Sequence, residues 1–137
     1  MKKITLLVMA CAAIAFASCN RSQHTYTATT NYHLLNPADQ ISVKAVLGTI
    51  NSYWDGDYTF TGNDEGYTDL KAEAKYAAAT AAILLHGDEI KEYLRKTDYF
   101  LYNLYRESDK ALLESTKFYV DGAGNFTYEE IVDNIDK

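Results

Sequence analysis

Residues 99–120 read YFLYNLYRESDKALLESTKFYV, and this stretch decides the fold. Phe100, Tyr102 and Leu104 alternate with Tyr99, Leu101, Asn103 and Tyr105, the period-two pattern of a half-buried strand. Glu107-Ser108-Asp109-Lys110 supplies a polar turn, and Ala111 to Val120 returns as a partner strand. The turn lacks the Asn-Gly or Asp-Gly pair that favours two-residue hairpins. Alternation nevertheless predicts a hairpin with Tyr99 and Tyr105 on one face and Tyr102 on the other.

Upstream, Thr25 to His33 alternates Tyr26, Ala28, Thr30 and Tyr32 with polar residues and reads as a strand that joins the hairpin. Asn36-Pro37-Ala38-Asp39 is a helix start, and the spacing of Val43, Val46, Leu47, Ile50 and Trp54 predicts a helix to about Tyr53. Asp55-Gly56-Asp57 ends it, and the segment to Gly66 reads as a polar loop carrying Tyr58 and Phe60. A second, alanine-rich helix is expected from Thr68 or Asp69 to His86, with Leu70, Ala74, Ala77, Ala81, Leu84 and Leu85 as its apolar face. Gly87 stops it, and Asp88 opens a short helix to Leu94. Downstream, Asp121–Asn125 is a turn, and Thr127-Tyr128-Glu129-Glu130 matches a capping box that predicts a last helix from Tyr128 to about Ile135. The expected fold is α+β, in the order β-α-α-α-β-β-α. Its antiparallel sheet has three to four strands with helices packed on one face.

The amino-terminal end carries a different signal. Lys2 and Lys3 precede an apolar run from Ile4 to Ala17, then Phe16-Ala17-Ser18-Cys19, then polar Asn20-Arg21-Ser22-Gln23. About 14 apolar residues are too few to cross a hydrocarbon core of ~30 Å comfortably, which fits a cleaved secretory signal. Residues 16–19 resemble the lipobox of bacterial lipoproteins, with Phe16 in place of the usual leucine. The resemblance implies a signal peptide over 1–18, lipid on Cys19, a short tether over 19–24 and one domain over 25–137. It implies export and attachment to the bacterial outer membrane. The residues after Cys19 contain no acidic export tag, which points to the periplasmic face rather than the cell surface.

Removal of Lys2 and Lys3 takes the net charge from −6 to about −8. An acidic chain of this kind is not expected to bind nucleic acid. Cys11 would also be lost and Cys19 committed to lipid, leaving no thiol for a disulfide, a zinc site or catalysis. Asp121 to Glu130 matches the second half of an EF-hand loop, with Gly124 as the turning glycine, but Tyr119 and Ala123 stand where oxygen donors belong. Asp121 and Glu130 remain as candidate metal ligands. A second acidic loop holds Asp55, Asp57, Asn63, Asp64 and Glu65 without a standard ligand spacing. His24, His33 and His86 show no metal spacing, and Ser42, Ser52, Ser108 and Ser115 lie in no glycine-flanked elbow. No cofactor is implied, and binding is expected rather than catalysis.

All 12 tyrosines follow Cys19, as does Trp54. Tyrosine gives large contact area and a hydroxyl at low entropic cost, which suits a binding surface. Trp54, Tyr58, Tyr99, Tyr102 and Tyr105 are therefore the candidate surface. The expected role is an envelope protein-interaction or assembly module. A glycan or small-molecule binding module is the alternative, and a small hydrolase the third reading.

Overall fold

The computed structural model describes residues 22–133. The elements are β1 (Ser22–His33), α1 (Pro37–Gly48), β2 (Gly56–Gly62), α2 (Glu65–Leu85), α3 (Gly87–Lys91), β3 (Tyr99–Arg106), β4 (Ala111–Val120) and β5 (Phe126–Asp133). The five strands form one antiparallel sheet in the order β2-β1-β3-β4-β5. The fold is α+β, with five strands where three to four were expected. The order β-α-β-α-α-β-β-β replaces β-α-α-α-β-β-α.

The hairpin forms as read, with Phe100 opposite Phe118 and Tyr102 opposite Thr116. Leu113 is an extra residue that shifts the register between Leu104 and Tyr105, and Lys110 in the turn takes φ 60°. β1 pairs with β3 as expected, Tyr32 facing Phe100. It starts at Ser22, so residues 22–24, assigned to the tether from sequence, belong to the sheet. Cys19 and the signal segment lie outside the described residues.

One loop and one helix of the sequence reading are corrected. The segment after Asp55 is a strand, because Tyr58 and Phe60 alternate with Asp57, Thr59 and Thr61 and pair against β1. Gly56 enters it at φ 109°, a left-handed conformation that favours glycine. The expected last helix is also a strand: Phe126 pairs with Val120, Tyr128 with Phe118 and Glu130 with Thr116. Thr, Tyr, Ile and Val are strand formers, and the open edge of β4 outweighs the capping-box pattern.

The helices cap as the sequence directs. Asn36 accepts from the Ala38 N–H at 3.0 Å, and Asp64 accepts from the Gly66 N–H at 2.9 Å. α1 ends at Gly48 rather than near Tyr53. The Thr49 hydroxyl donates to the Val46 carbonyl, and tight turns then carry Ile50 and Trp54 into the core.

All three helices pack on one sheet face. Tyr76 of α2 stacks on Tyr102 at 4.8 Å, Thr68 meets the Tyr26 hydroxyl at 2.8 Å, and Gly87 of α3 abuts Phe126. The face of α2 that points inward is Thr68, Ala72, Tyr76, Ala79 and Ile83, not the expected row. Leu70 and Leu85 face solvent. Alanine surrounds this helix and carries no facial information, so the hydroxyls of Thr68 and Tyr76, which find partners in the sheet, set its rotation.

Candidate functional site

Strand alternation divides the sheet into a covered face and an open one. The covered face carries Tyr26, Ala28, Phe100, Tyr102, Leu104 and Phe118, all fully buried. The Tyr102 hydroxyl donates to the Trp54 carbonyl at 2.8 Å, and the Tyr76 hydroxyl donates to the Tyr102 carbonyl at 2.5 Å. Burial pushes the pKa of Tyr26, Tyr76 and Tyr102 well above the ordinary tyrosine range. Tyr102 and Trp54, expected to form part of a binding surface, are core residues instead.

Trp54 is 4% exposed, and its indole N–H donates to the Gly56 carbonyl at 2.7 Å. Tyr58 is half-exposed beside it, ring edge to ring face at 6.2 Å. The Lys75 ammonium stands 4.7 Å from the Tyr58 ring centre and 5.5 Å from that of Trp54. This protein's own lysine thus occupies the position that a ligand cation would take against these rings.

Among the described residues, no helix packs on the open face. Its residues form rows across the strands. His33, Tyr99, Tyr119 and Thr127 make one row, and Asn31, Leu101, Lys117 and Glu129 the next. Thr29, Asn103 and Ser115 follow, then Asp57, Thr27, Tyr105 and Leu112. The His33 ring stacks on Tyr99 at 4.6 Å, and the Lys117 ammonium lies 4.8 Å from the Tyr99 ring centre and 5.1 Å from that of Tyr119. In the middle, Asn103 and Ser115 are each only 3% exposed, and the Ser115 hydroxyl donates to the Asn103 side-chain oxygen at 2.6 Å. Thr27 lies within hydrogen-bond distance of both Asp57 (2.7 Å) and Glu107 (2.6 Å). Tyr99 and Tyr105 therefore share the open face as the hairpin alternation requires, about 20 Å apart at ~3.4 Å per residue. Sequence reasoning missed His33, Leu101, Lys117 and Tyr119. The hairpin register that places Tyr119 beside Tyr99 was the signal available for them.

A groove of about 360 Å³ runs between α2 and the β4–β5 edge. Ala74, Ala77 and Ala81 form one wall, Tyr128 and Glu130 the other, and Tyr76 and Thr116 the floor. The Tyr76 and Thr116 hydroxyls share a 2.8 Å hydrogen bond there. The groove is open, with Tyr128 half-exposed at its side.

Asp121 and Glu130 are not brought together. Asp121 caps its own turn, accepting from the Ala123 and Asn125 N–H groups at 2.9 Å, while Glu130 lies opposite Thr116 in the groove. Roughly five residues of strand, about 16 Å, separate the two positions. Among the described residues no group of three or more His, Cys, Asp or Glu is placed to hold a metal ion. Comparison with protein-family models, curated proteins and solved structures finds no match to this chain.

Proposed function

We propose that this protein is an envelope lipoprotein, anchored through lipid on Cys19 to the periplasmic face of the outer membrane, whose open sheet face docks on a protein partner. The observation that carries the docking reading is the one-sided helix layer. It leaves Tyr99, Leu101, Tyr105, Lys117 and Tyr119 on a surface that no described helix covers. That surface carries Tyr99 and Tyr119 at one end and Tyr105 at the other, ring types that serve as anchors in protein interfaces, about a polar middle row of Thr29, Asn103 and Ser115. A flat sheet suits the broad contact of another protein better than the enclosure of a small ligand. The ligand alternative relied on Trp54 and Tyr58, where Lys75 already fills the aromatic site.

Photo-crosslinking from native membranes tests the docking reading. A photoreactive residue at Tyr99 or Tyr105 is expected to give one discrete heavier adduct, and the same residue at Leu85, on the outer side of α2, to give none. Absence of an adduct from both sheet positions, or equal labelling from Leu85, would overturn it. The anchor has its own test. Metabolic labelling with a palmitate analogue is expected to mark the wild type and to vanish in Cys19→Ala.

A further inference from the structure

The two edges of the sheet are built differently. β5 carries the marks of a protected edge. Ile131 is an extra residue that breaks its register with β4, and Glu129 and Glu130 stand at its centre. Antiparallel self-pairing of β5 would set these carboxylates against their copies. Among the described residues β2 has less protection, with Asp57 as its one charged side chain. It pairs with β1 without a register break from Gly56 to Gly62, and it contains no lysine, proline or bulge. Asp57, Tyr58, Thr59 and Thr61 are all exposed.

β2 is also tied to β1 through side chains. The Thr59 and Thr25 hydroxyls share a 3.0 Å hydrogen bond, and the Thr27 hydroxyl donates to Asp57 at 2.7 Å. On the other face, Tyr58 packs on Phe60 with ring centres 4.9 Å apart. Side chains are drawn inward while the outer row of backbone N–H and C=O groups faces solvent, a template for another strand.

We infer that β2 is a self-pairing edge whose occupant is a second copy of this chain. The sequence Gly56-Asp-Tyr-Thr-Phe-Thr-Gly62 fits itself in the antiparallel sense. With Thr59 on a two-fold axis at the strand midpoint, Tyr58 lies opposite Phe60 of the copy, and Asp57 lies opposite its Thr61. No like charges meet, aromatic rings pair across the strands, and a hydroxyl faces each carboxylate. The axis stands perpendicular to the sheet, so the two sheets join into one of ten strands with both helix layers on the same side.

Cysteine crosslinking of the full chain in its native membranes tests this. Thr59→Cys puts the two thiols at the axis, where Cα atoms about 4.5–5.5 Å apart allow a disulfide. Mild oxidation is expected to give a dimer on a non-reducing gel above any level the wild type shows through Cys19. Co-expressed Asp57→Cys and Thr61→Cys chains are expected to crosslink to each other, which fixes the register. Glu129→Cys on the opposite edge is expected to remain monomeric. Thr59→Glu, which places like charges on the axis and adds no amine, should stay folded by circular dichroism and cut amine-reactive crosslinking up to about fivefold. Failure of both disulfide pairs, dimer formation by Glu129→Cys at the same level, or a folded Thr59→Glu chain that crosslinks like the wild type would each overturn the inference.

Discussion

At the scale of single residues, the tightest contact is Gly87 against Phe126. A Cβ at Gly87 would sit 2.7 Å from a carbon of the Phe126 ring, and that ring also stacks on Phe118. Gly87→Ala is therefore expected to destabilise the fold by about 1–3 kcal/mol, read from a urea melt. Gly48, with open space around it, should tolerate alanine without that loss. The Tyr76 hydroxyl is a second sensitive point, because it joins α2 to the Tyr102 carbonyl and to Thr116 in a buried setting. Tyr76→Phe keeps the ring but removes the hydroxyl that bridges the Tyr102 carbonyl and Thr116, and a loss of about 1–3 kcal/mol is expected in the same measurement. A melt unchanged by Tyr76→Phe would mean that the ring, not the hydroxyl, fixes the helix.

At the scale of elements, α2 separates what the chain declares from what packing decides. Ile83, fully buried, should cost about 2–5 kcal/mol on truncation to alanine, whereas Leu85→Gln on the solvent side should stay within about 0.5 kcal/mol. The apolar row read from the sequence would give the reverse for Leu85, so the pair tests the rotation of the helix. The hairpin was legible because its alternation is long and uninterrupted, and α1 was legible at its start because Asn36 and Pro37 mark a helix entry. β2 and β5 were hidden for separate reasons. Seven residues that begin and end in glycine look like a loop, although Tyr58 and Phe60 keep period two. Thr127 to Glu130 satisfies a helix-capping pattern as well as a strand, and only the vacant edge of β4 chooses between them. The open-face tyrosines at 99 and 105 followed from alternation. Alternation also put Tyr102 on the opposite face, and Trp54 completed the apolar row of the first helix, but which sheet face the helices cover was not legible.

At the scale of the whole molecule, the buried tyrosines set an alkaline limit. Tyr26, Tyr76 and Tyr102 have folded-state pKa values raised chiefly by burial, so the folded state keeps protons that the unfolded chain releases near pH 10. Their contribution is whole below that pH and declines as pH rises above it. Cooperative unfolding is expected on titration above about pH 10, with tyrosinate absorbance rising in the same step as the loss of circular dichroism. Absorbance that rises fully while the fold persists would refute this. The place where the chain enters the sheet has a mechanical consequence as well. β1 begins at Ser22 and is an interior strand, laddered to β2 on one side and β3 on the other. A pull through the proposed lipid on Cys19 would enter the fold through that strand. Both ladders would then bear the load in shear, many hydrogen bonds at once, rather than opening one by one as a peeled edge strand does. The proposed lipid anchor would thus load both ladders together.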